Sequence, residues 1–489
     1  MEVLLSAVAS DLMGRLVSFL ISKFQEPSGT MDDVVRLQQV LLRAVAVVEE
    51  AEGRHITNRA MLLQLSQLRA QMFRGSYVLD TFMRRAVDPN RRSLAVAGRS
   101  RLPPGIDGAT GLAAAESLEA ALSDMREFVV LLGSFPRLNR QPYSAYLFME
   151  SCMFGRQLEK EQIVGFLLQP ARDLDVLPII GPHDVGKRTL VEHVCLDERV
   201  KQYFPEIRHL NGDDLDHIPS PDNEHHQSLV DATARPLIVI HLRGGVDTDE
   251  EEETWRRFHS SMRRLAHIES KIILISRSER HSSLGTVPAL RLRAPRREEL
   301  WYLFKALAFG GADPGERPEL VHVAVALFAS IPAGVAPFAV ASKLAASLRA
   351  DLSARSWRRV QKVSAGATEL ELGGAIPGWR DRPEKTGFYY PSMPVKDAPR
   401  APFLFYSRRK LTGVARSELP KVTMQELLDG AGAVLPGGDT RFDVLVWQSR
   451  IPPYGSYVAT CDMETAQQVV TGKKRLDKRR GQRQDEPCN

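Results

Sequence analysis

The chain has 489 residues, too many for one hydrophobic core, and its length points to two to four domains of about 100–200 residues each. With 43% hydrophobic and 26% charged residues it sits near the average of folded globular chains, which excludes a wholly disordered or membrane-embedded protein. Its 65 basic residues nearly balance 60 acidic ones, and a net charge of +5 argues against nucleic acid as the main partner.

The predicted elements begin with helices. Leu5, Val8, Leu12, Leu16 and Leu20 recur at steps of three and four, which places them on one face of a first helix. Core packing accounts for that stripe, with peripheral membrane contact as its alternative. Met1 is followed by Glu2, and Asp11, Arg15 and Lys23 interrupt the apolar stretch, so no secretory signal is expected. Thr30 and Asp33 form a capping-box-like start for a second helix carrying Val34, Leu37, Leu41, Val45 and Val48. A third carries Met61, Leu65, Leu68, Met72, Leu79 and Phe82. After a basic loop over 84–111, a fourth uses Leu118, Leu122, Met125, Val129 and Leu132. These predict a four-helix bundle over residues 1–140.

From about Phe154 strand and helix candidates alternate. Residues 177–180, 207–210, 236–242 and 271–276 read as Val/Ile/Leu-rich strands, with helices over 187–195 and 255–266. This pattern predicts an α/β domain over 150–310 whose parallel sheet is covered on both faces, with ligands beyond the carboxyl ends of its strands.

Residues 177–190 read LPIIGPHDVGKRTL, a strand, a Gly-to-Gly-Lys turn and a helix start. In G-x-x-x-x-G-K-[ST] the glycines let backbone amides face phosphates, the lysine reaches the outer phosphates and a hydroxyl holds magnesium. Gly181, Gly186 and Lys187 are in place, but Arg188 stands at the hydroxyl position and Thr189 follows one residue late. A guanidinium contacts phosphate but cannot coordinate magnesium. The candidate nucleotide-binding residues here are Gly181, Val185, Gly186, Lys187, Arg188, Thr189 and Leu190. Asp184 opposes binding if it faces the phosphates.

The strand at 236–240 runs into His241, Leu242 and Arg243 without an acid. Asp247 and residues 249–253 lie beyond Gly244 and Gly245 and read as a solvated loop. His241 reads as a packed strand histidine. Magnesium therefore has no assured ligand set. A helical segment over 320–348 belongs to a subdomain at 311–365. Residues 366–489 are rich in Pro and Gly and are expected to be irregular, with a short helix at 423–428, a strand at 442–447 and a solvated basic end at 473–483. Nuclear targeting or acidic-surface binding is the alternative for that end. Cys152, Cys195, Cys461 and Cys488 are widely spaced, forming neither a metal pair nor a disulfide framework, and fit a reducing intracellular compartment. No Ser/His/Asp triad, paired carboxylates or catalytic cysteine stands out.

Several ordered segments resemble the plant coiled-coil NB-ARC disease-resistance family, in a form without leucine-rich repeats. YVLDTF at 77–82 falls where the family has its acidic EDVID-type motif, with Ser76 and Tyr77 in place of its leading acids. MFGRQLEKEQIVGFLL at 153–168 resembles the segment entering the nucleotide domain. SKIILISRSER at 270–280 resembles the strand that ends in a sensor arginine, here Arg277. LRLRAPRREELWYLFKALAFG at 290–310 resembles the linker and helix that follow, and GVAPFA at 334–339 resembles the GLPLA-like turn with one extra residue. The resemblance implies that Arg277 senses phosphate and that Pro337 approaches the base. It also implies an N-terminal coiled-coil domain that contacts other immune receptors, signalling proteins or another copy. No winged-helix segment with its MHD-type motif is evident.

The expected function is a cytoplasmic plant-defence protein that binds ADP, or ATP weakly, as a switch or structural ligand without catalysis. The alternatives are an active P-loop ATPase and a nucleotide-independent adaptor or decoy.

Overall fold

The computed structural model describes residues 29–87, 108–136, 154–170, 174–217, 236–242, 248–265, 270–329, 337–366, 368–371, 386–395, 398–411, 416–429, 440–449, 454–464 and 466. The predicted helix over 5–20 and the basic run at 473–483 lie outside them, as do Cys152 and Cys488.

The bundle contains α1 (Gly29–Glu52), α2 (Arg59–Val87), α3 (Gly108–Ser123) and α4 (Arg126–Leu132). The predicted stripes of α1 and α2 are its core: Leu37, Leu41, Leu65, Leu68 and Leu79 are each at most 1% exposed. The fourth predicted helix is corrected to two, broken at Asp124 and Met125, where the Met125 backbone leaves the helical ladder. That break turns Phe128 inward and leaves Val129 48% exposed.

One carboxylate of the bundle is shut off from water at a cost. Glu49 of α1 has neither oxygen hydrogen-bonded among the described residues, and burial, reinforced by Glu52, pushes its pKa up to about 7. The folded form holds its proton more tightly than the unfolded chain, whose carboxyl titrates near about 4.3. This group therefore opposes folding increasingly as pH rises from about 4.3 to 7, and constantly above that. Glu49→Gln should raise stability by about 1–2 kcal/mol at pH 8, allowing for solvent screening, and by almost nothing near pH 4. Urea unfolding at the two pH values measures the difference; equal gains at both would refute it.

The central domain follows the alternation predicted for it. After α5 (Gln157–Leu168) come β1 (Asp175–Ile180), α6 (Lys187–Cys195), α7 (Glu198–Tyr203), β2 (Glu206–Asn211), β3 (Pro236–His241), α8 (Thr248–Leu265), β4 (Lys271–Ser276) and the short β5 (Leu290–Arg291). The strands form a parallel sheet in the order β2-β3-β4-β1-β5. Because side chains alternate across a sheet, Leu177, Ile179, Leu237, Val239, Ile273 and Ile275 pack under α5, α6 and α7. Val176, Ile238, Ile240, Ile272 and Leu274 face Trp255, Phe258 and Met262 of α8. Each such side chain fully buried contributes about 1.5–3 kcal/mol, so both faces must stay covered. Lys271, 1% exposed, donates from Nζ to the carbonyls of Phe166 and Gln169 and satisfies the end of α5 against the sheet.

Asp249 to Glu253 are not a loop; they open α8. Acids favour the first turn of a helix because its free N–H groups carry partial positive charge. They are engaged within the protein: Glu252 pairs with Arg256 and Arg280, and Glu251 lies 3.8 Å from His281.

A helical layer comprises α9 (Arg297–Phe309), α10 (Pro318–Ala329), α11 (Pro337–Ala350) and α12 (Ala354–Gly366), of which α10 and α11 fall in the helical segment predicted over 320–348. Trp301, Phe304, Phe328 and Trp357 centre its core. The bundle seats on this layer through α2. Asp80, fully buried, accepts hydrogen bonds from Trp301 Nε1 at 2.8 Å and Lys305 Nζ at 3.2 Å, and Tyr77 packs edge-on against Trp301. The single acid of YVLDTF thus joins the bundle to the helical layer although Ser76 and Tyr77 stand where the motif has its leading acids.

The described residues between 368 and 464 are largely ordered, which corrects the expectation of an irregular region there, while the helix predicted at 423–428 and the strand at 442–447 both form. β6 (Thr368–Glu371), β7 (Thr386–Val395), β8 (Ala398–Leu411), α13 (Met424–Asp429), β9 (Arg441–Gln448) and β10 (Ser456–Asp462) make an antiparallel sheet ordered β6-β7-β8-β10-β9. Prolines in β7 and β8 mask the strand pattern, yet Phe403, Phe405, Val444, Ala459 and Cys461 form a core with Met424 and Leu427. Register shifts in β7–β8 accommodate those prolines. Among the described residues, no helix is long and apolar enough to cross a membrane.

Candidate functional site

The strand-turn-helix between β1 and α6 forms at the carboxyl end of the sheet. Gly181 fits between neighbours: a Cβ there would lie 2.4 Å from the Leu292 carbonyl oxygen, and its N–H meets Ser276 O at 3.3 Å. Gly186 caps α6 with φ 91°, the left-handed region where a side chain is strained. Val185 and Leu190 are each 1% exposed and anchor the turn in the core. Leu190 donates its N–H to Gly186 O, so it seats the helix and has no free donor to offer. The N–H groups of Val185 and Gly186 find no protein acceptor among the described residues. That is the usual state of a helix N-terminus, and it is a feature that suits an anion.

Lys187 is buried, and its ammonium donates to the carbonyls of Gly181 and Pro182, each at 2.6 Å. The lysine thus lies folded over the turn. Arg188 is exposed at the second helical position, and Thr189 is half-buried beside it. Burial by neighbouring groups and the charge of Arg277 hold the Arg188 pKa below its ordinary value, with Tyr457 opposing. Two guanidiniums close enough to affect each other raise the local positive potential, which an anion would relieve.

Arg277, exposed, follows β4 directly. A buried pair shapes its turn: Ser276 Oγ lies 2.8 Å from His281 Nδ1 and accepts the Ser278 N–H at 3.1 Å. Burial lowers the His281 pKa against the charges of Glu251 and Glu252. Ser276, His281 and Glu251 form a string, but Ser276 is 1% exposed and His281 0%, so no substrate reaches them. Pro337 begins α11, and its side chain lies outside the described residues.

The turn supplies free N–H groups, a lysine and nearby arginines. Among the described residues a magnesium ligand set does not assemble: Arg188 replaces the hydroxyl, β3 ends in His241 stacked 6.0 Å from His209, and Glu252 of α8 pairs with arginines. No cluster of His, Cys, Asp or Glu among the described residues could hold a metal ion. Cys195 and Cys461 are free and buried.

Residues missed from the sequence lie in the C-terminal sheet. The Tyr457 hydroxyl on β10 donates to Asp184 Oδ1 at 2.9 Å. A tail expected to be irregular offers no reason to place it beside residue 184.

Residues 8–101 match the Rx N-terminal domain family. The chain is 25% identical over 347 residues to disease resistance protein RGA2 of Solanum bulbocastanum, covering 64% of this chain and 34% of that protein. The putative disease resistance protein RGA1 of the same species is 24% identical over 397 residues, 76% of this chain and 39% of that protein. The chain thus spans about two fifths or less of these relatives' length. A disease resistance RPP13-like protein of Arabidopsis thaliana is 28% identical over 227 residues, 42% of this chain and 21% of that protein. A chain in the structure of Drosophila ORC bound to DNA is 12% identical, covering 46% of this chain and 63% of that one with a TM-score of 0.25, too loose a superposition to inform the site.

Proposed function

Starting from a chain homologous to the coiled-coil NB-ARC disease-resistance proteins of plants, we propose a defence-response protein that holds ADP as a switch or structural ligand and does not turn it over. The observation that carries this is the complete turn between β1 and α6, with Lys187 folded over it and Arg188 and Arg277 at its mouth, beside a β3 that ends without an acid. Backbone amides of 185–187 and the Lys187 ammonium would bind the phosphates, and the arginines would supply charge that a metal supplies elsewhere. ADP carries less charge than ATP and depends less on a metal. ATP binds more weakly on this account, and hydrolysis lacks both the magnesium ligands and an acid to orient water.

The protein purified without added nucleotide should release about one ADP per chain on acid denaturation, read by chromatography. Lys187→Ala should lower ADP affinity about 10- to 100-fold by removing a charge-assisted contact. Protein that contains no ADP or ATP and takes up neither on titration would end the nucleotide reading. Magnesium-dependent turnover lost in Lys187→Ala would favour the ATPase alternative.

Contact with other receptors, signalling proteins or a second copy falls to the bundle in this proposal. Val129, Val130 and Leu131 of α4 are 48%, 79% and 52% exposed, an apolar run suited to such a contact. Sedimentation over a concentration series would register self-association and speaks against it if the chain stays monomeric.

A further inference from the structure

Asp184 is the one group in the phosphate turn with the wrong sign for a phosphate. It is also a non-glycine residue with positive φ, 58°, a conformation that tertiary contacts must hold. Both carboxylate oxygens are engaged: Oδ1 accepts from the Tyr457 hydroxyl at 2.9 Å, and Oδ2 lies 2.6 Å from His183 Nδ1. His183 is 63% exposed and comes from the turn itself, whereas Tyr457 arrives from a different domain. The Tyr457 ring is braced by Trp447 of β9, with centroids 5.6 Å apart, and so is fixed by the sheet it belongs to. Its hydroxyl also lies close enough to Arg188 to affect that guanidinium. Asp184, Tyr457, Arg188 and Arg277 therefore share one neighbourhood at the mouth of the turn.

We infer that Tyr457 is a positioning residue of the phosphate turn: it holds the Asp184 carboxylate aside so that a nucleoside diphosphate can enter, and thereby ties nucleotide occupancy to the seating of the C-terminal sheet. The inference rests on the reading of the turn as an ADP site. A carboxylate with a phenol donor has part of its charge satisfied; released, it would rotate toward the same amides and arginines that the phosphates need. Coupling of this kind is reciprocal, so ADP should in turn strengthen the seating of the sheet by the same factor that the seated sheet strengthens ADP.

The test uses the full chain and ADP itself. Tyr457→Phe keeps the ring against Trp447 and removes only the hydroxyl, and should weaken ADP about tenfold by calorimetric titration. Asp184→Asn should bind ADP severalfold more tightly than the parent, and the double variant Tyr457→Phe/Asp184→Asn should match Asp184→Asn alone. An unchanged affinity in Tyr457→Phe, or an equal loss when Tyr457→Phe is added to Asp184→Asn, overturns the inference, because a merely structural hydroxyl would act whatever side chain stands at 184. A second readout does not need nucleotide. In nucleotide-free protein, amide hydrogen exchange over 183–187 should speed up in Tyr457→Phe, since the left-handed Asp184 loses its tether. Faster exchange with no ADP binding in the parent would support the tether and fault only the nucleotide reading; unchanged exchange would overturn the tether itself.

Discussion

Replacing Asp80 with alanine will cost about 3–5 kcal/mol and loosen the bundle from the helical layer, because it takes the carboxylate away from a buried cation. Asp80 is fully buried and Lys305 8% exposed, and the same carboxylate oxygen that meets Lys305 also takes the Trp301 indole N–H. Removing it takes the carboxylate acceptor from the Lys305 ammonium and the Trp301 indole N–H beside the rings of Tyr77 and Phe328, which are weaker acceptors than a carboxylate. The expected signature is a new low-temperature step in thermal unfolding, with the bundle parting before the sheet melts. The paired change Asp80→Leu/Lys305→Met should recover most of the loss, since apolar groups of similar volume tolerate burial that a lone charge does not. A loss below about 1 kcal/mol in the single variant would mean that the charge finds water, and that the docking is apolar alone.

Gly181→Ala should be the most damaging small change in the phosphate turn. The added carbon would lie 2.4 Å from the Leu292 carbonyl oxygen and 3.3 Å from its carbonyl carbon, a backbone that cannot turn aside like a side chain. Relief requires the end of β1 to move from Leu292, whose N–H donates to Ile180 O at 2.8 Å. Overpacking against backbone costs about 3 kcal/mol. Gly186→Ala strains a φ of 91°, at about 1–2 kcal/mol. Chemical denaturation of both variants ranks them, and the order reverses if the Leu292 segment yields freely. ADP affinity should fall with both, further in Gly181→Ala, where the amides themselves shift.

The two glycines also mark how far residue order alone reaches. Their spacing with Lys187 predicts the turn, and the runs PLIVIH and KIILIS predict β3 and β4, because strands buried on both faces leave a continuous apolar signature. The stripes of α1 and α2 are legible for the same reason at helical period. Other features depend on partners distant in sequence. Asp249 to Glu253 look like a solvated loop until Arg280, His281 and the opening of α8 account for them. The C-terminal sheet is hidden because Pro391, Pro394, Pro399 and Pro402 interrupt β7 and β8, and a proline within a run ordinarily demotes a strand. Tyr457 is invisible at that level: nothing local marks it, and its partner is Asp184, on the far side of the sequence.

The sheet order has a consequence for how the molecule is made. β1 ends at Ile180, but the strands on either side of it are β4, starting at Lys271, and β5, at Leu290. At a synthesis rate of about 5–20 residues per second, this apolar strand leaves the ribosome roughly 5–20 seconds before its first neighbour. The turn after it waits longer, for Ser276, then Leu292, then Tyr457. The bundle can fold early, yet Asp80 stays open to water until Trp301 and Lys305 emerge. A nascent chain therefore passes through a period with an unpaired strand and a bare docking face, when chaperones have the most to hold, and its phosphate turn is among the last parts to become whole.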